Sequence, residues 1–196
     1  MILDETFWTE RYLNQETGWD IGTVSTPIKI FVDSLSDYNL KILIPGAGNG
    51  YEAEYLFRLG FKDVTVLDWA EPPLLAIAKR LPDFPISQLV HQNFFEHVGH
   101  YDLIIEQTFF CALDPKLRYA YATKMVELLN TNGRLCGLLF DDPMNLTHPP
   151  FGGSMQECRT YFEPLFYLEE FEKCHNSIPP RLGKEMWMTL RKRERF

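Results

Sequence analysis

Apolar and polar positions divide this chain into short apolar runs that alternate with amphipathic stretches. The run Leu40-Lys41-Ile42-Leu43-Ile44 has the length of a buried strand. It breaks at Pro45 into Gly46-Ala47-Gly48-Asn49-Gly50, after which an amphipathic helix is predicted from Tyr51 to about Leu59, ended by Gly60. The pattern then repeats. Asp63 to Asp68 reads as a second strand, and Pro72 and Pro73 suit the first turn of a helix whose Leu74, Ile77, Ala78 and Leu81 share one face. Ile86 to His91 predicts a third strand and Tyr101 to Glu106 a fourth. Asp114 can cap the next helix with Pro115 at its first position; Leu117, Tyr121, Met125 and Leu128 line one side until Gly133, and Arg134 to Phe140 forms a fifth strand.

Strands that alternate with helices at this spacing imply βαβ units, hence a mainly parallel sheet with ligands at the carboxyl ends of the strands. Beyond Asp142 the rhythm changes. Pro143 to Gly153 is rich in Pro and Gly, Ser154 and Glu157 form a capping box, and two strands near Phe166 to Cys174 and Glu185 to Leu190 suggest an antiparallel pair that completes a seven-stranded sheet. At the other end, Phe7, Trp8, Arg11 and Tyr12 fit a short helix, Gly18 to Gly22 with Trp19 and Asp20 reads as a loop, and Pro27 opens a helix through about Leu35. Residues 1–36 thus form an aromatic segment, either a lid over a ligand or a cap on the core. The whole chain, 1–196, reads as one domain.

Composition narrows the partners. A net charge of −8 opposes a nucleic-acid ligand, which needs a basic face, and favours a small molecule. The basic cluster Arg191-Lys192-Arg193 with Arg195 reads as a solvated tail. No apolar run approaches the ~20 residues of a membrane span, and the N-terminus lacks the layout of a signal peptide. A cytoplasmic monomer is expected. Cys111, Cys136, Cys158 and Cys174 lie far apart without a Cys-x-x-Cys pair, so reduced buried thiols are expected rather than zinc or disulfides.

Glycines at alternating positions let a backbone approach a ligand closely. The dinucleotide fingerprint is Gly-x-Gly-x-x-Gly, whereas this turn is Gly-x-Gly-x-Gly followed by Glu52 in the first helical turn. A carboxylate there would repel a phosphate, which points to a nucleoside ligand without phosphates, S-adenosylmethionine above all. Asp68 closes the second strand twenty positions after Gly48, where such folds hold ribose hydroxyls. Asn93-Phe94, after the third strand, are candidates for the adenine. Gln107-Thr108-Phe109-Phe110, after the fourth, would adjoin the sulfonium and the methyl acceptor. Asn93 as a turn former and Phe109 and Phe110 as core are the alternatives.

The pieces Phe7-Trp8-x-x-Arg11-Tyr12, Gly18-Trp19-Asp20-x-Gly22, Pro45-Gly46-x-Gly48, Asp68, Asn93-Phe94-Phe95, Tyr101-Asp102 and Cys111-Ala112-Leu113, in this order, resemble the thiopurine S-methyltransferase superfamily, and within it the methyl halide and thiol methyltransferase branch. Pro149-Pro150-Phe151 and Arg181-x-Gly183-Lys184-Glu185 extend the likeness to nearly the whole chain. The resemblance implies a Rossmann-like class I methyltransferase that uses S-adenosylmethionine, with Trp8, Tyr12 and Trp19 closing over the cofactor, Gly46 and Gly48 approaching its methionine part, Asp68 on the ribose and Asn93-Phe94 beside the adenine. It also marks two departures: Gln107 stands where the thiopurine enzymes commonly carry Arg, and Asn93 replaces the usual acid. The expected reaction is in-line methyl transfer to a small sulfur or halide nucleophile, which needs alignment and a dry pocket. A halide or thiolate needs no base; for a neutral acceptor Tyr119, Asp141, Asp142 and His148 are the candidates. An oxygen or nitrogen methyltransferase, or a non-catalytic binding module blocked by Phe109 and Phe110, are the rival readings.

Overall fold

The structure, a computed structural model, describes residues 2–194, so Arg195 of the basic tail lies outside the described residues. The elements run α1 (Glu5–Leu13), α2 (Thr26–Asp33), β1 (Lys41–Pro45), α3 (Tyr51–Leu59), β2 (Asp63–Asp68), α4 (Glu71–Arg80), β3 (Leu89–His91), β4 (Tyr101–Gln107), α5 (Arg118–Leu128), β5 (Leu129–Phe140), α6 (Met155–Phe162), β6 (Phe166–Lys173) and β7 (Glu185–Lys192). The strands form one seven-stranded sheet in the order β3-β2-β1-β4-β5-β7-β6. The first five are parallel, and β7 lies antiparallel between β5 and β6. This is the predicted class.

Pleating sorts the core onto two faces. Ile42, Ile44, Leu103 and Ile105 turn towards Ile28 of α2, Ala53 and Leu56 of α3 and Ile77 of α4, whereas Leu43 and Ile104 turn towards Tyr121 and Met125 of α5 and Phe162 of α6. Each such side chain, fully buried, contributes roughly 1.5–3 kcal/mol. The packing also fixes where a ligand can sit. The chain leaves β1 for β2 and β3 on one side and returns to β4 on the other, so the crevice at the carboxyl end of β1 is the point where strand order reverses.

Three predicted boundaries move: Asp114 caps a 3-10 turn, Pro115–Leu117, and α5 begins only at Arg118. Ile86–Gln88 is a 3-10 turn instead of the start of β3, because the Gln88 side chain accepts from Val64 N (3.4 Å) and donates to Lys62 O (2.8 Å), taking the edge of β2 that strand backbone would otherwise occupy. The helix expected to reach Gly133 ends at Leu128. Leu129 already pairs with Tyr101 as the first residue of β5, and both side chains are buried, so sheet pairing outweighs another helical turn. The basic tail is not free either: Arg191 donates to Glu169 (2.7 Å) and Arg193 lies over the Tyr167 ring.

Candidate active site

A cavity of about 930 Å³ opens over the carboxyl ends of β1, β2, β3 and β4. Its floor is the glycine turn. Gly46 and Gly48 have φ of +57° and +53°, the left-handed region that other residues adopt at a cost. A Cβ on Gly46 would stand 2.2 Å from the Phe109 ring, and one on Gly48 would stand 2.9 Å from the Tyr12 hydroxyl. The turn therefore exists only with glycine, and its backbone faces the space a ligand would fill.

Asp68 fastens this turn to β2. Its Oδ2 accepts from Gly48 N and its Oδ1 from Ala70 N, each at 2.8 Å, although the residue is only 7% exposed. Burial pushes its carboxyl above the ordinary value, and the N–H groups of Ala70, Gly48 and Trp69 pull it back. A carboxylate held this way keeps lone pairs for hydroxyl donors at the cavity edge. Asn93 and Phe94 also line the cavity. The Asn93 side chain accepts from Phe95 N (3.0 Å), so the turn-forming role is present, and Phe94 packs edge-on against Phe109 with ring centroids 5.1 Å apart.

The N-terminal aromatics wall the cavity instead of capping the core. Trp19 meets both Trp8 and Tyr12 edge-to-face, each with centroids 5.8 Å apart, and all three rings line the space. Burial and the charge of Asp68 hold the Tyr12 hydroxyl far above its ordinary pKa, so it is a neutral donor. This wall is tied down at both ends. His91 Nε2 lies 3.1 Å from Glu5 of α1 and 3.0 Å from Trp69 O, and Arg181 Nη2 donates to Trp19 O at 2.7 Å.

On the β4 side, Gln107, Thr108 and Phe109 line the cavity, whereas Phe110 turns into the core against Tyr121 and Phe162 and blocks nothing. Thr108 has φ +59°, an uncommon conformation for a β-branched residue, and Glu106 holds it there. Glu106 is wholly buried; its Oε1 accepts from Phe109 N (2.7 Å) and Phe110 N (2.9 Å), and its Oε2 accepts from the Tyr121 hydroxyl. Desolvation pushes this carboxyl up to about 7. The far wall is largely apolar, with Cys111, Phe140, Met144 and Pro149-Pro150, and carries the cations Arg181 and Lys184. Burial pushes the Cys111 thiol up to about 12, which leaves it an inert neutral group.

Three candidates fall elsewhere: His148 is exposed, its Nδ1 lies 3.0 Å from Pro149 O, and it does not line the cavity. Tyr119 is 59% exposed on the outer side of α5 and does not line the cavity. It is displaced because Arg118, Tyr121 and Ala122 take the inward positions. Asp141 accepts from Met155 N (2.9 Å) at the start of α6 and is absent from the cavity lining, although its neighbour Asp142 belongs to it. Sequence reasoning also missed Glu106, Ser25 and the turning of Glu52 into the cavity. The signal for Glu106 was available: a carboxylate that directly follows the apolar run Leu103-Ile104-Ile105 within the same strand is buried and must be satisfied.

Solved structures share this fold. The 1,6-didemethyltoxoflavin-N1-methyltransferase of Burkholderia thailandensis, solved with bound S-adenosylhomocysteine, superposes with a TM-score of 0.77 at 18% identity over 97% of this chain and 87% of its own. TehB from Haemophilus influenzae gives 0.67 at 19% identity, over 94% and 67%. With the family match given next, this fold is that of a methyltransferase that uses S-adenosylmethionine, and the residues here fit that cofactor: a glycine cradle that a single Cβ would fill, a buried acid at the end of β2 and an aromatic wall.

The chain belongs to the thiopurine S-methyltransferase (TPMT) family, whose match spans residues 3–195. Among curated relatives, the probable thiol methyltransferase 2 of Arabidopsis thaliana is 29% identical over 185 residues, 91% of this chain and 81% of that protein. Thiocyanate methyltransferase 1 of the same plant is 28% identical over 189 residues, 93% and 83%.

Proposed function

We propose that this enzyme methylates small sulfur nucleophiles, thiols, bisulfide and thiocyanate foremost, and halides by the same displacement, as a single catalytic domain and a cytoplasmic monomer. Family membership supports the sulfur acceptor, and the thiol and thiocyanate relatives support a small one. One observation carries the reading. The glycine turn and Asp68 share a cavity with a largely apolar wall of Cys111, Phe140, Met144 and Pro149-Pro150. Bound S-adenosylmethionine would supply an electrophilic methyl group. Trp8, Tyr12, Trp19, Gly46, Gly48, Asp68, Asn93, Phe94 and Gln107 are the proposed cofactor-binding residues.

The remaining chemistry belongs to the chain's own side chains. Phe109, Phe140 and Met144 line the space a nucleophile would enter, and an anion stripped of water there attacks faster; Arg181 and Lys184 line it too, paired with Glu185 (3.4 Å) and Asp142 (3.7 Å). Thr108 and Phe109, held by Glu106, keep the β4 end of the cavity in one conformation, and fixed alignment is the largest requirement of an in-line displacement. A thiolate or thiocyanate needs no proton removed, which suits a cavity that Tyr119, Asp141 and His148 do not reach and whose Asp142 lies 3.7 Å from Lys184.

The test is incubation with methyl-labelled S-adenosylmethionine and a panel of thiocyanate, bisulfide, iodide and small alkyl and aryl thiols, read as volatile labelled methyl product. Turnover of sulfur acceptors is expected. Cofactor binding with no product from any member of the panel would overturn the acceptor class.

A further inference from the structure

The loop of residues 143–153 brings Met144, Pro149 and Pro150 to the apolar wall of the cavity, and none of the proposed cofactor-binding residues lies on it. Two hydrogen bonds tie its returning arm to the body of the protein. Phe151 N donates to Cys111 O, and Arg118 Nη2 donates to Gly152 O, each at 2.7 Å. The two arms of the loop meet at the same place: a Cβ on Gly152 would stand 2.3 Å from Met144 N. Whatever fixes Gly152 therefore fixes Met144, which faces the cavity.

Arg118 acts from behind this wall. It is the first residue of α5, it is buried, and neither it nor Glu157 lines the cavity. Three neighbours set its guanidinium in one orientation: Nη1 donates to Glu157 Oε1 at 2.7 Å, Nη2 reaches Gly152 O, and the Phe110 ring lies against it with its centroid 4.9 Å away. Glu157 is held in turn, since its N–H donates to Ser154 Oγ and its Oε1 accepts from the Tyr161 hydroxyl, each at 3.1 Å. The Arg118 Nε has no hydrogen-bond partner among the described residues, so the buried cation is incompletely satisfied. A buried pair of this kind adds little net stability over apolar packing; what it adds is geometry.

We propose that Arg118 is a positioning residue for the methyl acceptor: through Gly152 it fixes the loop wall, and so sets how firmly the cavity grips an acceptor large enough to touch that wall. This inference rests on the acceptor reading above and deepens it. An aryl thiol brings an apolar ring against Met144, Pro149 and Pro150, whereas thiocyanate, a short rod, touches far less of them. A gap of about 0.5–1 Å already forfeits a quarter to a half of a dispersion contact, so a loosened wall costs the bulky acceptor and spares the small one. The cofactor side is fixed by other bonds, those of Asp68 to the glycine turn, Arg181 to Trp19 O and His91 to Glu5. Arg118 thus governs acceptor choice without touching either substrate.

The experiment is initial-rate kinetics of the full chain and its Arg118→Met variant with an aryl thiol and with thiocyanate at saturating S-adenosylmethionine, beside calorimetry of S-adenosylhomocysteine. Arg118→Met should raise the KM of the aryl thiol roughly fivefold or more, the size of one hydrogen bond, and move the KM of thiocyanate and the Kd of S-adenosylhomocysteine by less than about twofold. A merely structural role would lower the active fraction, and with it kcat, and leave the ratio of the two KM values alone. An aryl-thiol KM that stays put, or a rise shared by thiocyanate or by the cofactor product, overturns the assignment. If Arg118→Met fails to fold, Glu157→Ala, at a half-exposed position, frees the same guanidinium on one side and should shift the KM ratio in the same direction; an unshifted ratio there sinks the idea as well. Wild-type protein that methylates thiocyanate but no aryl thiol also overturns it, whereas wild-type protein that turns over neither acceptor refutes the acceptor reading itself.

Discussion

Glu106→Gln is the substitution that best isolates one buried group. In the folded protein the Glu106 carboxyl titrates near 7 because it has lost its water, against 4.5 for an ordinary glutamate. Between these values the folded state holds a proton that the unfolded chain releases. Stability from this group is therefore fully present below about pH 4.5 and is lost as pH rises through about 7. At 1.36 kcal/mol per pKa unit the loss between pH 5 and pH 8 is roughly 2–3 kcal/mol. For a chain of this length that corresponds to about 5–10 °C in Tm. A glutamine keeps an oxygen for Phe109 N and Phe110 N but cannot titrate. The difference in unfolding free energy between the variant and the parent, measured by urea denaturation, should thus move by that amount in the variant's favour from pH 5 to pH 8. Every other carboxylate contributes equally to both proteins and cancels. A difference that stays flat across this range would refute the claim that burial lifts the Glu106 carboxyl to about 7.

Three further substitutions test the neighbouring parts. Asp68→Ala removes the acceptor of two backbone N–H groups and the proposed ribose contact, and should weaken cofactor binding by roughly tenfold or more in calorimetry; unchanged affinity would dismiss the ribose role. Gly46→Ala forces a Cβ into the Phe109 ring at φ +57°, so a lowered Tm equivalent to at least ~1 kcal/mol is expected, and an unshifted melting curve would count against the tight turn. Arg118→Met takes away a guanidinium that is 2% exposed and donates to Glu157 and Gly152 O, both at 2.7 Å. A loss of roughly 1–3 kcal/mol in urea denaturation is expected, since the Gly152 carbonyl would be left unpaired; an unchanged midpoint would mean that water replaces the guanidinium.

Much of the fold was legible because its signals are local. Apolar runs of strand length, helix faces at i, i+3 and i+4, Asp114-Pro115 and Ser154 with Glu157 each report on a few consecutive residues, and the sheet class follows from their order. The glycine turn and Asp68 were legible for a related reason, since their chemistry depends on position at a strand end. The failures have the opposite character. Whether Leu129 continues a helix or pairs with Tyr101 is decided by a residue 28 positions away. Tyr119 and Asp141 carry suitable chemistry, but α5 turns the first outward and the start of α6 engages the second. Phe109 and Phe110, adjacent in the chain, part company: one reaches the cavity and the other the core.

The sequence by itself determined the parallel sheet, the glycine turn at the end of β1, and the acid that fastens it, because backbone geometry and periodicity are properties of short stretches. Only the tertiary structure decided which charges meet. Glu52 came to share a cavity with Arg181, and Ser25 to stand between Glu52 and Gln107, through contacts between segments as far apart as the N-terminal loop and the approach to β7. Burial sets the energy of each of those charges, and burial is a property of the packed molecule, not of any stretch of chain.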